Sequence, residues 1–180
     1  MLIESSMSDV TIPSASEGSS VDNPRLLALI RYWNAKRGSR SMPSRQQIDP
    51  IEIPRLLPIV LVAERVAVGA RIRLLGTEAT EAYGRETRGK LVTEVALGEF
   101  TPLWLNAFMR VTETGAPIAA GGQYRTPDHR RSVEMVLMPL SDDGVSVSHI
   151  LGGLMIMPMQ MSSSVGSKAA APYLLLARAG

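Results

Sequence analysis

The residues that could do chemistry in this chain are few: two histidines, His129 and His149, and one adjacent acid pair, Asp142-Asp143. His129 falls in a predicted hairpin turn and reads as a solvated imidazole. His149 opens the last predicted strand, where it is either a hydrogen-bonded structural residue or a side chain facing an internal pocket. Neither has a carboxylate or second imidazole at ligand spacing, so the sequence predicts no metal site. Asp142-Asp143 precede Gly144 between two strands, a place where Asp is favoured for turning the chain. The serines do not stand in a Gly-x-Ser-x-Gly elbow, and Gly76, Gly84 and Gly89 do not reproduce a phosphate-binding loop. With no cysteine, disulfides, thiolate metal sites and cysteine nucleophiles are excluded. The expectation is a protein with no catalytic residues, not an enzyme.

At 180 residues and 45% hydrophobic content the chain can bury one sizeable core. The first 22 residues carry acids and no Lys or Arg, the wrong charge for an export signal, so a cytoplasmic protein is expected. Ile150 to Met159 is apolar but broken by Gly152-Gly153 and Pro158, and it is too short to span a bilayer, so no membrane is expected. The body is mildly basic, but its arginines are scattered along the chain and form no run. On that ground no nucleic-acid partner is expected.

Local signals place the elements. Asn23 caps a helix that has Pro24 at its first position and an apolar stripe of Leu26, Leu27, Leu29, Ile30 and Trp33; Lys36 and Arg37 suit its C-terminal end and Gly38 stops it. Ser44 to Gln47 and Asp49 to Glu52 each resemble a capping box opening a short turn. Ile59 to Ala63 and Arg71 to Leu75 read as a hairpin turned near Gly69, followed by a short helix from Thr77 to Tyr83. Phe100, Leu103, Trp104, Ala107, Phe108 and Val111 fall on one helical face, with Thr101-Pro102 as cap and first residue and Gly115 as stop. A meander of three antiparallel strands follows, from Pro117 to Arg125, Arg130 to Leu140 and Ser146 to Met157. Ile59 to Ala63 and Ile150 to Ile156 are apolar at both parities, which predicts central strands covered on both faces. The domain reading is a disordered arm over 1–22, one folded domain over 23–160 and a flexible tail over 161–180.

Several phrases then carry a family likeness over about residues 24–157. They are Trp33 in the leading helix, Met42-Pro-Ser-Arg45, Asp49-Pro50 and Ile53-Pro-Arg-Leu-Leu-Pro58. Further on come Arg71-Ile-Arg-Leu-Leu-Gly-Thr77, Tyr83-Gly-Arg-Glu-Thr-Arg-Gly-Lys90, Glu113-Thr-Gly-Ala-Pro117 and Met138-Pro-Leu-Ser-Asp-Asp-Gly144. In order and spacing these resemble the bacterial single-domain PAS family. The resemblance implies an α+β fold: a five-stranded, mainly antiparallel sheet with short helices and one long helix on one face, preceded by an N-terminal helix. It also implies a sensory or signalling role with a pocket between sheet and helices. The candidate lining is Tyr83, Leu91, Trp104, Phe108, Tyr124, Met135 and Leu137, with His149 beside them. Leu26, Ile30 and Trp33 are the candidate contact of a homodimer or a regulatory protein partner.

The cofactor stays unassigned. A flavin adduct of the light-sensing relatives needs a cysteine, and the long helix has no histidine for haem. Three functions compete: a sensor of a small-molecule ligand, a dimerising adaptor without ligand, and an isomerase-like enzyme using Tyr83 or His149 as acid and base.

Overall fold

The computed structural model describes residues 21–95, 97–125, 130–158 and 173–176, of which residues 123–125, 130, 158 and 173–176 are described in backbone alone. Helix α1 spans Pro24–Arg37, and the side chain of Asn23 accepts the Arg25 amide at 3.0 Å. Two of the predicted short turns follow as 3₁₀ helices, Arg45–Gln47 and Pro50–Glu52, the second capped by Asp49. Strands β1 (Val60–Val66) and β2 (Gly69–Leu75) form the hairpin, and α2 (Thr77–Tyr83) ends at Gly84 in the left-handed conformation. Helix α3 spans Thr101–Thr114. Its cap differs by one residue from the expected one: Phe100 takes that place, and the Thr101 hydroxyl reaches back to accept the Leu97 amide at 2.8 Å. That bond ties α3 to the loop before it.

The meander is present as β3 (Ile118–Arg125), β4 (Arg130–Leu140) and β5 (His149–Pro158). Within the segment read as a tail, Tyr173–Leu176 forms a sixth strand, β6, so the sheet has the order β2-β1-β5-β4-β3-β6. Every neighbouring pair is antiparallel. The strands that are apolar at both parities, β1 and β5, lie inside the sheet, and β2 is one edge. His129 lies outside the described residues, as do Met159 and Met161.

The two faces of the sheet are told apart by a pair of glycines. A Cβ on Gly153 would stand 2.7 Å from Leu26 Cδ2 and 3.0 Å from Leu29 Cδ2, so this face carries α1. A Cβ on Gly152 would meet Leu137 and Leu61 on the opposite face. Val60, Val62, Val136, Leu151 and His149 share the parity of Gly153, whereas Leu61, Ala63, Met135, Leu137 and Ile150 share that of Gly152. Helix α1 is held by burial of Leu26, Leu29 and Trp33, each contributing about 1.5–3 kcal/mol. The Trp33 indole N–H also donates to the Pro139 carbonyl at 2.9 Å. Pro139 lies beyond the end of the β3–β4 ladder but still pairs with Ile150 of β5, so this bond ties α1 to the β4–β5 ladder. At the surface, Tyr32 donates to Glu52 at 2.8 Å and accepts the Asp49 amide at 2.9 Å, while Lys36 pairs with Glu52, which fastens α1 to the turn over 50–52.

Candidate functional site

On α3, the face formed by Trp104, Ala107, Phe108 and Val111 is buried in the core. Leu105, Phe108, Met109 and Thr112 recur at i, i+3, i+4 and i+7, which aligns them along the adjacent flank of the helix. That flank looks onto the tip of the β1–β2 hairpin and onto the 3₁₀ turn over Val92–Glu94. Between them lies a cleft of about 660 Å³. Its floor is apolar: Phe108, Val92 and Ala70 line it and are buried. Leu105 and Met109 form the α3 wall, and Arg65, Val66, Ala67 and Gly69 form the hairpin wall. Met109 is 49% exposed, so the cleft has an apolar lip open to solvent.

Trp104 stands behind this floor and does not line it. Its ring meets Phe108 edge-on with centroids 4.7 Å apart, and its indole N–H donates to the Val92 carbonyl at 3.0 Å. One buried side chain thus positions two floor residues that come from different segments. The polar groups are at the rim. Among the described residues the Arg65 side chain makes only a long bond to the Val147 carbonyl, 3.5 Å, and the Glu113 side chain has no ion pair or hydrogen bond. The Thr112 hydroxyl donates within the helix to the Phe108 carbonyl at 2.8 Å. A cleft with an apolar floor and one cation and one anion at its mouth suits a small amphipathic molecule.

The groups with displaced pKa values lie elsewhere. Burial, together with the hydrogen bond to Glu52, pushes the Tyr32 phenol up to about 12, and Lys36 and Tyr32 hold Glu52 below the usual carboxylate range. Burial raises Glu134 on β4. Asp143 is held far below its usual value because it accepts from the Ser146 hydroxyl and amide, the Val145 amide and the Ser141 hydroxyl. Asp143 therefore staples the β4–β5 turn. No group of three or more potential metal ligands is found among the described residues, and no helix there is long and apolar enough to cross a membrane.

Of the residues singled out in the sequence whose side chains are described, only Phe108 lines the cleft. Met135 and Leu137 are buried in the sheet face opposite α1, Tyr83 is half-buried against the core at the end of α2, and Leu91 forms an isolated bridge with Arg71. His149 is on the α1 face of the sheet, beside Ser148 Oγ at 3.1 Å and Asp142 at 3.5 Å, because its parity is that of Gly153. It does not reach the cleft. The side chain of Tyr124 lies outside the described residues. Leu26 and Trp33, expected at a contact between chains, are buried against their own sheet and are not presented outward; Ile30 beside them is half-buried. The residues not foreseen are Arg65, Ala70, Val92, Leu105, Met109 and Thr112. Leu105 and Met109 carried a signal, as two apolar residues outside an otherwise complete stripe.

Comparison with known proteins accords with this architecture. No curated protein matches the chain. Among solved structures it is similar to VqmA bound to DPO, at 14% identity and TM-score 0.47, covering 59% of this chain and 56% of that one. It is also similar to the PAS domain of BvgS from Bordetella pertussis, at 17% identity and TM-score 0.48, covering 62% and 84%. A third is an RNA-binding light-oxygen-voltage receptor, at 16% identity and TM-score 0.46, covering 63% and 35%. The chain thus spans about half the length of the VqmA it matches. The exclusion of nucleic-acid partners is corrected by these neighbours: VqmA of Vibrio cholera has been solved in a complex with ligand and DNA, and the light-oxygen-voltage receptor binds RNA. The family model described as PAS domain matches residues 21–155, and the chain belongs to the PAS domain family.

Proposed function

We propose that this chain is a non-catalytic sensory module of a bacterial cytoplasm that takes a small amphipathic ligand in the cleft between the β1–β2 hairpin and α3. The observation that carries this reading is the cleft of about 660 Å³ with Phe108, Val92 and Ala70 as its floor. The apolar body of a ligand rests on that floor, and its polar end meets Arg65 or Glu113 at the mouth. Binding there draws the hairpin and α3 together. Because Trp104 couples Phe108 to Val92, a shift of the floor passes into the core beneath α3, which gives a protein partner a change to read.

Native mass spectrometry of the purified chain, followed by a thermal-shift screen of amphipathic metabolites, tests the proposal. A ligand at a hundredfold excess over its Kd stabilises by about 2.7 kcal/mol, equivalent to a rise of roughly 5–10 °C for a chain of this size. Met109→Glu places a carboxylate on the half-exposed lip, so it is expected to abolish the ligand-induced rise while leaving the melting temperature of the free protein within about 1 °C. The reading fails if no compound is retained or stabilising, or if Met109→Glu leaves the response intact.

A further inference from the structure

β6 covers part of one sheet edge with a segment that follows β5 only after residues 159–172. Its register is defined over four pairs: Ile118 with Leu176, Ala119 with Leu175, Ala120 with Leu174 and Gly121 with Tyr173. β3 itself is eight residues long, paired along its whole length with β4. Among the described residues its other edge is therefore a backbone template longer than the strand paired to it. Over Ile118–Gly122 the edge is built of small residues, Ala-Ala-Gly-Gly after Ile118, so little side-chain bulk is present to obstruct an incoming strand. The occupant is uncharged and apolar, Tyr-Leu-Leu-Leu, without the Lys or Pro that blunts protected edges.

We infer that the β3 edge is a strand-docking surface for an extended, uncharged, apolar peptide segment of a partner protein, and that β6 is the chain's own reversible occupant of it. The chain itself displays what fits: a short extended segment, antiparallel to β3, over Ile118–Gly121. Reversibility follows from length. Four residues form few ladder hydrogen bonds, and the entropy lost in fixing them is of similar size, so the tethered strand is held near balance. The tether sets an effective concentration that a partner strand must exceed. This site is distinct from the cleft, which is built from β1, β2 and α3, and the inference is independent of ligand binding there.

The test uses the full chain and a synthetic peptide of residues 170–179. Hydrogen exchange is read at Ile118–Gly121 in the wild type and in Leu175→Pro, which removes a backbone donor and restricts the strand opposite Ala119. The expected result is that at least one of these amides exchanges about tenfold or more faster in the variant, and that the peptide restores its protection. The peptide should also bind the variant at least about tenfold more tightly than the wild type, where β6 competes. The same peptide N-methylated at Leu174 and Leu175 should not bind. Leu174→Pro, opposite Ala120, repeats the comparison from the neighbouring pair. Should either variant fail to fold, excess peptide added to the wild type must speed exchange of at least one of the adjacent Leu174 and Leu175 amides while β3 stays protected. Equal protection in wild type and folded variant, equal peptide affinity in both, or undiminished binding of the N-methylated peptide overturns the inference. Protection of Ile118–Gly121 that rises with protein concentration also overturns it, since the edge would then be filled by a second copy.

Discussion

Trp104→Phe tests the packing on which the cleft depends. The indole is 1% exposed, it donates one hydrogen bond to the Val92 carbonyl, and it meets Phe108 edge-on. A phenyl ring keeps the aromatic contact but removes the donor and about a third of the ring system. The lost hydrogen bond costs about 1 kcal/mol and not the full desolvation penalty, because the Val92 carbonyl still accepts the Val95 amide at 3.3 Å. The void adds roughly 1–2 kcal/mol, a fraction of the 3–5 kcal/mol for complete removal of a buried aromatic side chain. The sum, about 2–3 kcal/mol, corresponds to a fall in Tm of roughly 4–12 °C. Urea unfolding followed by far-UV circular dichroism and by fluorescence measures it. The variant leaves Trp33 as its one tryptophan, on the α1 face of the sheet. Coincident transitions by both probes would show that the loss beneath α3 is felt across the whole domain. A loss under about 0.5 kcal/mol, the range of surface substitutions, would refute the placement of Trp104 as the support of the floor.

Two further predictions rest on other parts of the fold. In Gly76→Ala the new Cβ would fall far inside contact distance of the Leu57 and Pro58 carbonyl oxygens, which are backbone and cannot rotate away. The φ of Gly76 is an ordinary −63°, so the cost is steric alone and is expected to exceed about 3 kcal/mol in urea unfolding; a loss under about 1 kcal/mol would show that the 57–58 turn yields. For Tyr32, the folded phenol stays protonated to about 12 where the ordinary value is 10.0, so its contribution to stability is whole below pH 10 and is lost as pH rises through 12. The phenolate difference spectrum of wild type against Tyr32→Phe should show that midpoint, and Glu52→Gln should lower it without returning it to 10.0, since burial is the larger cause; a wild-type midpoint at 10.0 would place Tyr32 in open solvent.

Most of the element boundaries were legible in the residues, because capping and periodicity act over a few positions. Asn23-Pro24 starts α1, Gly115 in the left-handed region ends α3, and Asp143 accepts four bonds in the turn before β5. The central placement of β1 and β5 also followed from local pattern, since strands apolar at both parities must be covered on both sides.

The candidate site was not legible in the same way. Its lining comes from three segments, 65–70, 92–93 and 105–113, and nothing in their separate patterns says that they meet. Parity put His149 on one of two faces, but only the docking of α1 through the missing Cβ of Gly153 decided which face that was. β6 was missed because four apolar residues have no period of their own; their strand exists only by pairing with β3. Short-range chemistry wrote the elements into the sequence. Which surfaces close on one another depends on contacts between residues far apart in the chain, and that is decided only when the whole core packs.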